Sequence, residues 1–237
     1  MSIQVEIYRG KSQLDNGQIV AITTQNTHNR KTGDMVQIWI LAASMNPYKA
    51  VFNNIDRSIC GDCKHRGKTC YVALHQAPLQ IYRKWLEGFY PIAPNLNFLK
   101  GKVIRLGSYG DPVALPFNLV KEICHKSDGW TGYTHQWNLD LAQKYNKYLM
   151  ASVDNLTEYY KAKWMGWRTF RVKEALNSKL DGEIVCPAAE EAGKKSNCFK
   201  CQLCSGLKGK DGTDIVINVH GLPYKHELFK KISLQLI

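Results

Sequence analysis

The stretch KVIRLGSYGDPVALPFNLVKEICHKSDGWTGYTHQW, Lys102 to Trp137, decides the fold reading. It opens with a β-rich run, KVIRLGSYGDP (Lys102 to Pro112), whose apolar half ends in two glycines and an Asp-Pro turn. PFNLVKEICHKS (Pro116 to Ser127) then places Phe117, Val120 and Cys124 at helical spacing, and GWTGYTHQW (Gly129 to Trp137) returns to strand composition. Strand, helix and strand joined by short connections form the unit from which parallel sheets are built.

The same alternation extends in both directions. VQIWILAA (Val36 to Ala43) precedes it. YLMASVDN (Tyr148 to Asn155), RTFRVK (Arg168 to Lys173), EIVCPAA (Glu183 to Ala189) and DIVINVHG (Asp214 to Gly221) follow it. Between these runs, LQIYRKWLEGF (Leu79 to Phe89) carries a helical stripe of Leu79, Tyr82, Trp85, Leu86 and Phe89. NLDLAQKYN (Asn138 to Asn146) is a further helix candidate. NLTEYYKAKWMG (Asn155 to Gly166) opens on Asn155 as N-cap with Glu158 three residues on, and closes on Gly166. The runs beginning at Val36, Lys102, Gly129, Tyr148, Arg168, Glu183 and Asp214 are therefore expected to be mostly parallel neighbours in one sheet. The expected fold is α/β, a partial or complete βα barrel with polar residues gathered at the strand C-termini. Ahead of it, Ile3, Val5, Ile7 and Ile19, Val20, Ile22 flank the turn Asp15–Gly17 and predict a β-hairpin, with a second polar turn at Asn29–Asp34. One domain is expected over 1–237: a β extension (1–35), a barrel-like core (36–221) containing a cysteine-rich loop (186–212), and a C-terminal tail (222–237).

Composition sets the class. Hydrophobic residues make up 44% and charged residues 22%, which excludes disorder as the dominant state, and 18 Gly with 8 Pro excludes a collagen-like chain. No apolar run approaches the ~18 residues of a membrane helix. MSIQVEIYRGK lacks the apolar region of a signal peptide, so a cytoplasmic protein without membrane association is expected. Lys plus Arg number 32 against 20 Asp plus Glu, a net charge of +12, and the natural partner of such a chain is nucleic acid or a nucleotide.

Seven of the eight cysteines fall in two groups, with Cys124 alone. Cys198, Cys201 and Cys204 form C-x2-C-x2-C, with Cys186 upstream. Four thiols in a loop with few large apolar residues suit a tetrahedral zinc site or an iron–sulfur cluster, and the tight triplet leans towards iron–sulfur. Their sulfurs are expected to converge on one metal or cluster. Cys60, Cys63 and Cys70 lie in CGDCKHRGKTCY, with His65 inside. Either His65 or a distant residue completes a zinc site, or the fourth position stays open for a small molecule. The neighbours Lys64, His65, Arg66 and Lys68 are expected to lower the thiol pKa values. At the strand ends, Tyr133 and His135 share a face with Trp137 by alternation. His135 is a candidate proton donor or metal ligand, or equally a structural histidine. Ser152, Asp154, Arg171 and His220 complete the ring, and Asp111 could receive an ammonium or a ribose hydroxyl. GxxxxGK[ST], HExxH, GxSxG, paired histidines of the nickase type and the zinc-deaminase signature are all absent.

The order of these motifs is CGDCKHRGKTCY, then RLGSYGDP, YTHQW, CPA with CFKCQLC, and INVHG. It resembles a set of phage and prophage proteins similar to the radical S-adenosylmethionine superfamily. The resemblance spans roughly Val36 to Gly221. It implies that Cys60, Cys63 and Cys70 hold a [4Fe–4S] cluster whose free iron chelates S-adenosylmethionine, and that Gly107, Ser108, Gly110 and Asp111 meet that cofactor. It also implies that Cys186, Cys198, Cys201 and Cys204 hold an auxiliary cluster. The superfamily's usual triplet is C-x3-C-x2-C, where this chain has C-x2-C-x6-C, and Asp111 stands where glutamate is usual. The expected function is a radical enzyme acting on nucleic acid or a nucleotide, with His135, Tyr133 and Asp154 as catalytic candidates. The alternative is a zinc-stabilised nucleic-acid-binding protein without catalysis, for example in phage or plasmid replication.

Overall fold

The computed structural model describes residues 3–25, 29–210, 212–220 and 223–234. Gly221, the expected end of the last strand run, and Asp211 in the cysteine-rich loop lie outside the described residues.

Two five-stranded sheets form the frame. In the first, β1 (Val5–Lys11), β2 (Gln18–Thr24) and β3 (Val36–Ala42) are antiparallel neighbours. β3 then pairs in parallel with β4 (Val103–Tyr109), and β4 with β5 (Gly129–Thr131). In the second, β6 (Tyr133–Thr134), β7 (Met150–Val153), β8 (Thr169–Lys173), β9 (Glu183–Val185) and β10 (Asp214–Asn218) are all parallel, in the order β6-β7-β8-β10-β9. The expected hairpin is β1–β2. β3 is buried along its whole length, which is the environment its unbroken apolar run requires.

Two features depart from the one-sheet expectation. The ladder splits at Gly132, where the Gly132 N–H bonds to the carbonyl of Cys204 at 2.7 Å instead of to a strand. A Cβ there would meet Leu149 and Leu106 within 3 Å. The run Gly129–Trp137 is therefore two short strands, and Trp137 leaves the sheet to bury its indole against the Ser152 carbonyl. Second, β10 inserts between β8 and β9. Ile215, Val216 and Ile217 are almost fully buried, whereas two of the three β9 residues are only half-buried. At roughly 1.5–3 kcal/mol for each buried aliphatic side chain, the more apolar strand takes the inner position.

Helices α1 (Pro47–Phe52) and α2 (Arg57–Cys60) carry the chain into the first cysteine loop, and α3 (Ala77–Leu86) follows it. α4 (Phe117–Lys126) buries Val120, Ile123 and Cys124, so the lone cysteine is a core residue. The segment read as a helix at Asn138–Asn146 is a 3₁₀ helix, Asp140–Lys147. α5 (Leu156–Trp164) is capped as its sequence predicts: the Asn155 side chain accepts from the Glu158 N–H at 2.8 Å. The Glu158 carboxylate reaches back to the Asp154 N–H at 2.8 Å. α6 (Cys198–Cys201) is a single turn, and α7 (Pro223–Leu234) occupies what was expected to be a tail. Among the described residues no helix is long and apolar enough to cross a membrane.

Candidate functional site

The C-terminal ends of the parallel strands share one cavity of about 360 Å³. Alternate residues supply its wall: Arg105 and Gly107 from β4, Thr131 and Tyr133 from β5 and β6, Ser152 and Asp154 at the end of β7, and Phe170 and Val172 from β8. A period of two means that each strand turns the same face inward. His135, Val219 and His220 extend the rim, and Cys186 sits just beyond β9.

Both cysteine groups reach this cavity. Cys60, Cys63 and Cys70 line it, as do Cys186, Cys198 and Cys204; Cys201 lies off the lining. The first loop is tied to the strand ends at three points. The Asp111 N–H donates to the Ile59 carbonyl at 2.6 Å, and Gln136 Nε2 donates to the Cys60 carbonyl at 2.9 Å. Lys64 Nζ bridges Asp154 Oδ2 at 2.9 Å and Glu158 Oε1 at 2.7 Å. The second loop is seated by Cys198 and Phe199 N–H bonds to the Lys31 and Thr32 carbonyls. The buried Arg168 holds it from beneath, donating to the carbonyls of Gly206, Leu203 and Thr213.

His65 is fully engaged. Its Nε2 meets Asp154 Oδ2 at 2.7 Å and its Nδ1 lies against Thr69 Oγ1. Phe229 of α7 stacks on its ring, centroids 6.0 Å apart. In this arrangement both ring nitrogens of His65 have oxygen partners. Nothing local marked Phe229 for this role, although Tyr224, Leu228 and Ile232 recur every four residues in that stretch.

The basic neighbours do not activate the thiols as expected. Burial pushes the Cys60 and Cys204 thiols well above the usual cysteine range and also raises Cys63, Cys70, Cys186 and Cys198. At Cys60, Cys70, Cys186, Cys198 and Cys204, neighbouring thiols of the same group add to the effect. The local cations are spent elsewhere: Arg66 on Asp56 and Lys64 on Asp154 and Glu158. Only His65 opposes burial at Cys63, and burial prevails.

The glycine motif is built for close approach. Gly107 has φ +66°, and a Cβ on it would stand 2.6 Å from the Gly110 carbonyl oxygen. Gly110 has φ +80°, and its Cβ would stand 2.8 Å from the Ile40 carbonyl oxygen. Ser108 turns away to Gln37 Oε1. The Asp111 carboxylate is used within the loop, accepting from the N–H groups of Val113 and His135 and from Thr134 Oγ1, at 2.9–3.0 Å. Burial raises its pKa against those bonds. Three of its four lone-pair positions are thus taken, which leaves little to receive a cation. Arg171 is also removed from the expected ring, since it forms a buried bidentate pair with Glu183 at 2.7 Å for both contacts.

Of the catalytic candidates, His135 and Tyr133 line the cavity. Asp154 has a divided role: Oδ2 serves Lys64 and His65, while Oδ1 is buried without a hydrogen-bond partner among the described residues. Arg105, inside the motif RLGSYGDP, is a cavity residue that sequence reasoning missed. Its Nη2 donates to the hydroxyls of Tyr71 at 2.9 Å and Tyr133 at 3.0 Å. A charged residue inside the apolar run VIRL was the available signal.

Among the described residues, no three Cys, His, Asp or Glu side chains form a group able to hold a metal ion. A zinc ion bonded at ~2.3 Å needs its thiolates gathered about a point. An iron–sulfur cluster needs them spread around a larger body.

The fold and site together define a mixed α/β protein with a cysteine-walled cavity at its strand ends. Compared with known protein families, curated proteins and solved structures, the chain has no match.

Proposed function

We propose that this protein is an iron–sulfur enzyme of the radical S-adenosylmethionine type, built on a partial βα barrel and acting on a nucleotide or nucleic acid. One observation carries the reading. Cys60, Cys63 and Cys70 line the same cavity as the Gly107–Asp111 loop, while His65, which would close the set as a zinc site, is held by Asp154 and Thr69. The parallel strands β4, β5/β6, β7 and β8, whose residues line one cavity, support the barrel. The net charge of +12 supports an anionic substrate.

In this reading Cys60, Cys63 and Cys70 hold the catalytic cluster, and Cys186, Cys198, Cys201 and Cys204 hold the auxiliary one. When bound, such a cluster with S-adenosylmethionine supplies the one-electron chemistry. The chain supplies the setting. Gly107 and Gly110 let backbone groups approach the cofactor, and Asp111 fixes their loop. Asp154 positions His65 and Lys64, and with them the cysteine loop. Phe170, Val172 and Phe229 keep water from the wall. Burial raises the Tyr133 pKa well above the ordinary tyrosine range, so its hydroxyl stays protonated as a donor. His135 has its ring 5.3 Å from that of His65 and stands where a proton can be handed to or from a bound molecule.

The test is anaerobic reconstitution with iron and sulfide, followed by electron paramagnetic resonance of the reduced protein with and without S-adenosylmethionine. The expected result is a cluster signal that changes with the cofactor and is lost in Cys63→Ala. A colourless protein carrying zinc, or an iron signal indifferent to both, defeats the enzyme reading and leaves nucleic-acid binding as the better account.

A further inference from the structure

The cavity wall holds a cation with no carboxylate partner among the described residues. Arg105 makes no ion pair with a carboxylate among the described residues; its hydrogen bonds go to two neutral phenols, Tyr71 and Tyr133, and its charge also reaches the thiols of Cys198 and Cys204. Those hydroxyls also bond each other at 2.9 Å, and the guanidinium carbon lies 5.8 Å from the Tyr133 ring centre. Both bonds use Nη2, which leaves Nη1 and Nε, three of five donors, unassigned. The two carboxylates of the wall are already engaged, Asp111 by its own loop and Asp154 by Lys64 and His65. Lys31 lines the same cavity, makes no ion pair with a carboxylate among the described residues, and its charge reaches Cys186 and Cys198.

Buried polar groups normally have partners. On this wall Tyr109 Oη, Thr131 Oγ1 and Asp154 Oδ1 are buried and have none within the described protein. A planar guanidinium pinned by two phenols, with its fork free, matches a phosphate or carboxylate held bidentately.

We propose that Arg105 is the anion receptor of this cavity and anchors the substrate through a phosphate or carboxylate group. The stacked Tyr133 and Phe170 rings, 4.8 Å apart and tilted by 14°, then flank the rest of the molecule. This deepens the reading above in one respect only: it takes the cavity as the substrate site and does not depend on a cluster.

Equilibrium dialysis of metal-free and iron-reconstituted protein against four probes tests it: inorganic phosphate, malonate, a nucleoside 5′-monophosphate and its neutral nucleoside. The expected result is saturable binding of an oxyanion probe, with the nucleotide bound about 10- to 100-fold tighter than the nucleoside if phosphate is the group. Malonate binding without phosphate binding assigns a carboxylate instead. Arg105→Gln should abolish the preference, and Arg105→Lys, which keeps the charge and loses the fork, should retain part of it. The wild-type comparison of probes needs no variant, so misfolding of Arg105→Gln cannot hide the answer. Absence of saturable oxyanion binding by folded wild type overturns the proposal, as does equal binding by Arg105→Gln. So does an Arg105→Gln variant that changes only iron content, since Arg105 would then serve the thiolates. Arg105-dependent anion binding in a protein that takes up no iron would defeat the radical-enzyme reading alone. A cofactor-responsive cluster without anion preference would defeat this proposal alone.

Discussion

Replacing Asp154 by asparagine removes the charge that holds Lys64 and His65 while keeping the side chain's volume. Two charge-assisted hydrogen bonds converge on Asp154 Oδ2, from His65 Nε2 at 2.7 Å and Lys64 Nζ at 2.9 Å. Bonds of that kind contribute about 1.5–3 kcal/mol each. Lys64 retains Glu158 at 2.7 Å, and the amide oxygen can keep one neutral bond, so the net loss is about 2–4 kcal/mol, near the range for a broken buried pair. For a chain of this size that is roughly 5–15 °C in Tm. The pH dependence has a definite sign. Hydrogen bonding and the charges of His65 and Lys64 overcome burial and hold the Asp154 pKa below the ordinary carboxylate range. Its stabilisation is therefore complete above the unfolded value of about 3.9 and fades as pH falls below it. Urea unfolding of metal-free protein, followed by tryptophan fluorescence, should show the full gap between wild type and Asp154→Asn at pH 7 and a narrowing gap below about pH 4. Other carboxylates cancel in that difference. A gap under about 0.5 kcal/mol at pH 7, or one that stays constant into acid, would refute the assignment of Asp154 as the anchor of the cysteine loop.

Glu183→Gln leaves Arg171 buried without its bidentate partner and should cost about 3–5 kcal/mol in urea unfolding, whereas Arg171→Met with Glu183→Leu should cost far less. Gly110→Ala should destabilise more than Gly88→Ala. Both positions have positive φ, +80° and +75°, but only Gly110 would press its Cβ on Ile40; equal losses in calorimetry would show that the loop yields freely. In reconstituted protein, Cys201→Ser should lower iron content by about half and Cys124→Ala should leave it unchanged, because Cys124 is packed within α4 away from both groups. Iron lost equally from both variants would dissolve the two-group assignment.

Local order was legible because it is encoded within a few residues. The period-two and helical stripes mark β3, β4, β7, β8 and α3 to α5 within one to three residues at most ends. Asn155 and Glu158 announce the start of α5, and the DNG turn announces the β1–β2 hairpin. The grouping of thiols followed from spacing, and the polar strand ends followed from chain direction, since parallel strands put their C-termini on one side. The α7 helix had a local signal, Tyr224, Leu228 and Ile232 at four-residue spacing behind Pro223; its contact was not legible, because His65, on which Phe229 stacks, lies more than 150 residues away in the chain.

What only the tertiary structure decided concerns competition between distant groups. Whether β9 or β10 sits beside β8 depends on which buries more apolar surface, and each strand alone is consistent with either place. Gly132 reads as an ordinary strand glycine until the Cys204 carbonyl, 72 residues on, takes its N–H. His65 reads as a ligand among cysteines until Asp154, 89 residues on, takes its Nε2. Arg105 reads as a charge misplaced in a strand until both carboxylates of the wall prove engaged elsewhere. A residue type specifies what a side chain can bond, and spacing specifies which near neighbours it can reach. Which partner it finds is settled by long-range packing, where each donor is used once and every competing group must be buried at the same time.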